Sequence, residues 1–277
     1  MQNVESLADI LLSRLRRKPI LIAPGAYNAL CAKLIENAGF EAIYVGGASI
    51  SYSEFALPDL GFIGLEDMQR CVLKIRNTTS LPIICDADTG YGNDVNVKHT
   101  VKVLEMAGAN AIQIEDQVFP KKCGHLEDKR VITEEEMILK IKAALQTRKE
   151  ALIIARTDAY SVLGLKEAIK RANLYLENGA DIAFVEAPQN IKDIKTIAQN
   201  VKGLKMVNMV EGGKSPLLSS KVLEEFGYNL VIFPGSAIRV TVKALQKLFS
   251  ILKIEGSTTG YLKEMVLFDE LQKILSS

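Results

Sequence analysis

Two lysines, a thiol, a glycine and an imidazole fall in five consecutive residues: Lys121, Lys122, Cys123, Gly124 and His125. A cysteine in an apolar strand is packing material. A cysteine beside ammonium groups and an imidazole is a candidate acid or base, because nearby cations stabilise its thiolate. Gly124 leaves room for movement and for close backbone approach. Phe119 and Pro120 form an apolar stem on which the segment could close over a bound molecule and exclude water. The plainer alternative is a solvated charged loop. Against it, Cys123 sits in the polar part of the stretch and not in the apolar strand before it.

Carboxylates form a second group. Asp86 and Asp88 follow the apolar run 82–85 and lead into Gly90 and Gly92, and Glu115 and Asp116 end the next apolar run. Carboxylates clustered at buried strand ends need a cation. Mg2+ suits them, because it takes one or two carboxylates and completes its shell with water and substrate oxygens. The alternative is that Asp86 and Asp88 cap the following turn or pair with a lysine. Arg156 ends the run 151–155, where a guanidinium suits bidentate capture of a carboxylate. A structural ion pair with Glu186 or Asp158 is the competing use. Asn208 ends its own run and can both donate and accept in a polar pocket, unless it serves the turn toward Gly212 and Gly213. His99, between Lys98 and Thr100 on a helical stretch, reads as a surface residue.

The elements that must hold these groups recur in a simple order. Short apolar runs at 20–23, 42–45, 82–85, 111–114, 151–155, 182–185, 205–207 and 230–233 predict strands. Amphipathic stretches at 26–38, 66–76, 95–107, 134–146, 166–178, 191–199, 216–225 and 236–252 predict helices between and after them. Several strands are apolar throughout, as in a parallel sheet covered on both faces. Three helices end in nearly the same phrase, at Glu36-Asn-Ala-Gly39, Glu105-Met-Ala-Gly108 and Glu177-Asn-Gly179. A glycine just past the helix takes the left-handed cap before the next strand. Eight such β/α units match the arithmetic of a (β/α)8 TIM-type barrel, an α/β fold of about 250 residues. An open doubly wound sheet is disfavoured, because no G-x-G-x-x-G follows the first strand.

In such a barrel the site lies at the C-terminal ends of the strands. Those ends carry Tyr44, Gly46 and Gly47; Asp86 and Asp88; Glu115; Arg156; Glu186; Asn208; and Pro234 with Ser236. Chance placement of surface residues would not favour one end so heavily.

The 277 residues, 48% of them apolar, suffice for a sizeable core, and no linker divides them, so one catalytic domain over 1–277 is expected. The balance of 34 basic and 33 acidic residues attracts neither nucleic acid nor a membrane surface. No apolar run is long enough to span a bilayer. Residues 1–18 read as an amphipathic helix and not a signal peptide, so a cytoplasmic location is expected. The four cysteines contain no C-x-x-C pair, and two histidines make a His-rich metal site improbable on numbers alone. A helix at 261–275 has no strand to serve, and its apolar face needs a partner, for which a second subunit is the natural source.

Together, Asp86-Ala-Asp88, Glu115-Asp-Gln117, Lys121 to His125, Ala155-Arg-Thr-Asp158 and Asn208 to Gly213 resemble the isocitrate lyase / phosphoenolpyruvate mutase superfamily. The likeness runs from Ala23 to Tyr27, through Leu57 to Gly61, to Phe233 to Ser236. The Lys-Lys-Cys-Gly-His loop looks like the lyase branch. The resemblance implies a barrel whose last helix, within 258–277, is swapped onto a neighbour in a homotetramer built from dimers. It implies Mg2+, with Mn2+ as a substitute, held by Asp86 and Asp88 with Asp59 and Glu115 in its water shell. Gly46, Gly47, Gly124, Arg156, Asn208 and Ser236 would bind a di- or tricarboxylate, and Glu186 would orient Arg156 or the substrate hydroxyl.

By the same resemblance, cleavage of a 2-hydroxy acid needs a base, Tyr44 or a metal-linked carboxylate. Cys123 then protonates the resulting carbanion, with Lys121, Lys122 and His125 tuning the thiol and binding the anion. The implied reaction is 2-methylisocitrate to pyruvate and succinate. Alternatives in the family are 2,3-dimethylmalate or oxaloacetate cleavage, or a phosphonate mutase of the carboxyvinyl-carboxyphosphonate phosphorylmutase type. A non-catalytic oligomeric barrel is the alternative of another class. Gly46 departs from the family, where Ser or Thr is common, so a backbone N–H replaces a hydroxyl there.

Overall fold

In the computed structural model, which describes residues 5–276, eight strands run parallel in one sheet. They are β1 (Leu21–Pro24), β2 (Ile43–Val45), β3 (Ile83–Asp86), β4 (Ala111–Glu115), β5 (Leu152–Thr157), β6 (Ile182–Val185), β7 (Leu204–Asn208) and β8 (Leu230–Phe233). Hydrogen-bonded neighbours follow chain order from β2 to β8, and β8 pairs with β1. The ring is closed by a parallel bridge between Gly25 and Tyr44, where the Ala26 N–H donates to Tyr44 O. The (β/α)8 barrel expected from the strand count is therefore observed, each strand lying within two residues of its predicted place.

Helices cover the outside, and their ends show why the chain turns where it does. Gly39, Gly108 and Gly179 all have positive φ, so the repeated glycine phrase is the left-handed stop of three αβ corners. Asn93, Thr133 and Asn190 cap the helices Asp94–Ala107, Glu134–Thr147 and Ile191–Asn200 by accepting backbone N–H bonds at their starts. Each cap is worth about 1 kcal/mol. That is less than the roughly 1.5–3 kcal/mol for burying one large apolar side chain, so packing dominates.

The barrel interior is filled by Leu21, Ala23, Ile84, Ala111, Leu152, Ile154, Ile182, Met206, Leu230 and Ile232, with Tyr44 and Phe184 above. Its N-terminal end is plugged by Leu11 and Leu15 of the helix Leu7–Leu15. This is shorter than the expected 1–18 helix. Residues 1–4 lie outside the described residues, and Ile10 faces outward. Alternation along the strands then carries the inward face from apolar to polar within one step: Ile84 to Asp86, Ile154 to Arg156, Phe184 to Glu186 and Met206 to Asn208. The site is thus a continuation of the core.

Several helical parts of the chain differ from expectation; the helix Ala159–Leu163 was not predicted, and the one expected at 216–225 begins only at Ser220. The short helix Gly47–Ile50 and the π-helical turn Ser51–Phe55 follow β2, where no helix was predicted. The predicted helix 261–275 is two pieces, a 3-10 turn at Thr259–Glu264 and a helix at Phe268–Ser276. The intervening Met265 is extended and breaks the helical path.

Candidate active site

Asp86 closes β3 opposite Gln113 of β4, and Glu115 faces inward two residues further along β4, so three polar side chains gather at one end of the barrel. Asp86 Oδ1 accepts from Gln113 Nε2 at 2.9 Å and from the Asp88 N–H at 3.1 Å. The other side of Gln113 accepts from the Tyr44 hydroxyl at 3.2 Å. Asp88 sits at φ 47°, a conformation that costs a non-glycine residue energy and turns its carboxylate toward Lys121. Lys121 Nζ lies 2.5 Å from Asp59 Oδ1 and 3.0 Å from Asp88 Oδ1. Burial, and then the neighbouring Asp88, pushes the Asp86 carboxyl up from its ordinary value. Burial also raises Glu115, and neither of its oxygens has a hydrogen-bond partner.

Arg156, next to last in β5, lies beside this cluster. Its Nε donates to Asp158 Oδ2 at 2.8 Å and its Nη2 to Asp158 Oδ1 at 3.1 Å. Its Nη1 lies 3.2 Å from Glu115 Oε2, Nη2 lies 3.6 Å from Glu186 Oε1, and the guanidinium stands over the Phe184 ring. Burial works against the charge, but Asp158, then Glu115 and Glu186, outweigh it and hold the guanidinium firmly protonated. Asn208 Nδ2 donates to Glu186 Oε1 at 3.4 Å. Glu186 Oε2 and Asn208 Oδ1 are left without partners, as groups awaiting a ligand would be.

The segment after β4 lies across these groups. Its backbone is tied at Cys123, whose N–H donates to Asp59 O at 3.2 Å, and at Lys122, which exchanges two hydrogen bonds with the Gln117 amide. The Cys123 thiol is pushed up to about 11, by burial first and Asp59 next, with the His125 backbone N–H and Arg156 opposing. Cys123 is therefore a neutral thiol and not the cation-stabilised thiolate that its neighbours suggest. The lysine charge is spent elsewhere, on Asp59 and Asp88. His125 Nδ1 accepts the Lys214 N–H at 3.0 Å, which leaves the ring proton on Nε2, 3.7 Å from Glu186 Oε1. Burial lowers its basicity despite Glu186, so the imidazole is a neutral donor.

A cavity of about 90 Å3 results, lined among others by Tyr44, Gly46, Asp59, Asp86, Lys121, Cys123, Gly124, His125, Arg156, Glu186 and Asn208. Glu115 and Asp88 stand behind this lining. Three expected residues are not brought to it. Lys122 offers only its backbone to Gln117, one residue out of phase with the buried Lys121. Ser236 turns away to donate to Glu211 Oε1. Gly47 starts a helix behind Gly46 and faces Asp88. Tyr44 is a poor base: burial, then Asp86, raises its phenol well above its ordinary value, and it donates to Gln113. Nor do the four acidic residues form a closed cage: among the described residues no three His, Cys, Asp or Glu side chains converge as metal ligands.

Sequence reasoning missed Gln113, Lys129, Ser49 and Arg239. Gln113 carried a signal, since it shares the inward face of β4 with Glu115. Ser49 and Arg239 line the cavity from the helices after β2 and β8, where no motif marks them. Lys129, in an outwardly ordinary charged run, is buried with its ammonium on Asp158 at 2.8 Å.

The wider kinship of the chain agrees with this geometry. Residues 12–253 match the family described as phosphoenolpyruvate phosphomutase. The 2,3-dimethylmalate lyase of Eubacterium barkeri is 43% identical over 263 residues, 94% of this chain and 91% of the relative. The 2-methylisocitrate lyase of Aeropyrum pernix is 44% identical over 256 residues, 92% of this chain and 83% of the relative. A crystal structure of a 2,3-dimethylmalate lyase superposes with a TM-score of 0.92 at 32% identity, covering 98% of this chain and 92% of that one. With its barrel, its carboxylate cluster and its cysteine loop, the chain belongs to the phosphoenolpyruvate mutase/isocitrate lyase superfamily.

Proposed function

We propose that this chain is a carbon–carbon lyase that cleaves a 2-hydroxy di- or tricarboxylate into a 2-oxo acid and a second carboxylate. The observation that carries the reading is Cys123: a protonated thiol at about 11, on a loop that covers Arg156 and Glu186. Carbanion protonation needs such an acid, whereas phosphoryl transfer within the same family does not.

The acidic residues fit a divalent cation, because Glu115 is buried with neither oxygen hydrogen-bonded and only Oε2 near a cation, Arg156, and Asp86 and Asp88 crowd each other. Asp86 and Asp88 would hold Mg2+ or Mn2+, with Asp59 and Glu115 at longer range. When bound, the ion polarises the 2-oxygen and a carboxylate of the substrate.

The chain's own residues do the rest. Arg156 and Asn208 bind a substrate carboxylate, and the backbone N–H at Gly46 and Gly124 supplies further donors. Glu186, with a free Oε2, is the carboxylate placed to take the hydroxyl proton, a role the phenol of Tyr44 is unsuited to. As the bond breaks, its electron pair stays on the carbon next to the leaving carboxylate, and Cys123 delivers a proton to that carbon. Lys121 and His125 position the loop and offer positive or donor groups to the anion.

We place 2-methylisocitrate first, giving pyruvate and succinate, because Arg239 lines the cavity with a half-exposed guanidinium suited to a third carboxylate. Cleavage of 2,3-dimethylmalate, which has no third carboxylate, is the second reading. 2-Methylisocitrate and 2,3-dimethylmalate, each assayed with Mg2+ for pyruvate, and oxaloacetate, assayed for oxalate and acetate, decide the matter. No pyruvate from either hydroxy acid, with no oxalate from oxaloacetate, would refute the lyase reading.

We further infer assembly through the C-terminal helices. The helix Ser236–Glu255 buries only Ile238 and leaves Val240, Phe249 and Ile254 exposed, and the helix Phe268–Ser276 buries nothing. A groove of about 820 Å3 lined by Leu30, Leu34, Phe40 and Phe233 lies beside them, suited to a helix from another copy. A homotetramer of helix-swapped dimers is the form proposed, and a monomeric mass by light scattering would refute it.

A further inference from the structure

Lys129 lies beyond the reactive end of the loop, yet its side chain is 1% exposed. Its ammonium donates to Gly124 O and to Asp158 Oδ1, the second bond at 2.8 Å. It therefore ties the tip of the loop to the residue that clamps Arg156. Asp158 is itself anchored: its N–H donates to Asp116 Oδ1 at 2.8 Å. Asp116 Oδ2 is fixed in turn by Thr157, Arg171 and Tyr175.

We propose that Lys129 is a positioning residue that latches the loop shut and couples its closure to anion binding at Arg156. The coupling runs through Asp158, which Lys129 and Arg156 share. With the loop shut, Lys129 offsets part of the Asp158 charge, and Arg156 has positive charge to spare for a carboxylate. With the loop open, Lys129 leaves, and the full Asp158 charge falls on Arg156. Closure thus favours an anion at Arg156, and by reciprocity an anion there favours closure. Glu115 on β4 and Glu186 after β6 face the cluster from the Arg156 side, and Asp116 faces the Asp158 backbone with its own charge met by Arg171, so Lys129 is the cation that Asp158 gains only on closure.

The inference rests on Arg156 binding substrate carboxylate, and its test needs no turnover. Oxalate with Mg2+ serves as the probe, its binding followed by calorimetry. In the wild-type chain, oxalate should slow acylation of Lys129 by sulfo-NHS-acetate at least tenfold while exposed Lys149 reacts unchanged. It should likewise protect Cys123 from iodoacetamide. In Lys129→Met, ligand-free alkylation of Cys123 should be at least tenfold faster and oxalate binding at least tenfold weaker, with Lys129→Arg restoring much of both. A merely structural lysine would lower Tm without altering the protection by oxalate. Oxalate that binds without protecting Lys129 overturns the latch, and that measurement stands even if Lys129→Met does not fold. Failure of oxalate to bind overturns the carboxylate site instead. The latch is then judged on ligand-free alkylation, where equal rates in wild type and variant overturn it.

Discussion

Gly124 lies so close to Glu186 that a methyl group on its Cα would stand 2.2 Å from Glu186 Oε1 and 2.6 Å from Arg156 Nη2. Glu186 has little room to retreat, being buried between Arg156 and Asn208. Gly124→Ala should therefore hold the loop off the site while leaving the barrel intact. Misplacement of about 1 Å at a reacting group costs about a hundredfold, so kcat/KM should fall at least that far. Stability in urea should change by less than about 1 kcal/mol, since the loop is peripheral to the core. An alanine variant with near-native kcat/KM would show that the loop does not need this approach.

Cys123 should behave as an acid and not as a standing nucleophile. A thiol at about 11 keeps its proton throughout the neutral range and gives thiolate only as pH rises toward that value. The rate of Cys123 alkylation should then climb about tenfold per pH unit from 7 to 9.5 without a plateau. A plateau below pH 8 would reveal a stabilised thiolate and contradict the assigned role. Cys123→Ser should lower kcat by about a hundred- to ten-thousandfold, the usual worth of a positioned acid, with KM little altered.

Much of this arrangement can be read along the chain, because a barrel strand repeats with period two. Ile84 points inward, so Asp86 does too, and the same step links Ile154 to Arg156 and Phe184 to Glu186. The glycines after three helices mark their corners with equal clarity. What is illegible depends on contacts between distant segments. Lys121 and Lys122 are indistinguishable as letters, and only the fold sends one into the acidic cluster and the other's backbone to Gln117. Lys129 resembles its exposed neighbours until Asp158, 29 residues on, takes its ammonium. Ser236 has the right type and strand end but finds Glu211 first. The state of the thiol is illegible for the same reason, since counting nearby lysines ignores where their charge is already paired.

Asp116 should matter for stability more than any residue that touches substrate. It is fully buried and accepts from Thr157 Oγ1 at 2.7 Å, Tyr175 OH at 2.8 Å, Arg171 Nη1 at 3.1 Å and the Asp158 N–H at 2.8 Å. An amide offers one oxygen, so in Asp116→Asn the NH2 must face donors whichever way it flips, and Arg171 loses a buried counter-ion. Removing one partner of such a network costs about 3–5 kcal/mol. Urea denaturation should show a loss of that order, and a loss below about 1 kcal/mol would mean that solvent or a rearrangement satisfies the donors.

Gln113 ties Tyr44 to Asp86, the carboxylate that metal binding would need in a fixed place. Its amide must turn Nε2 to Asp86 at 2.9 Å and Oε1 to the Tyr44 hydroxyl at 3.2 Å, so each neighbour dictates its orientation. Gln113→Leu keeps the approximate volume but leaves the Tyr44 hydroxyl without an acceptor and Asp86 Oδ1 with only the Asp88 N–H. Losing a residue that orients a metal-binding carboxylate typically costs ten- to a hundredfold in metal affinity. Activity lost to EDTA should return on adding Mg2+ in both proteins, the variant needing about ten to a hundred times more. Because the leucine cannot touch substrate carboxylates at Arg156, KM at saturating Mg2+ should stay within about threefold. A variant that regains activity at the wild-type Mg2+ concentration would show that Asp86 is positioned by the Asp88 backbone alone.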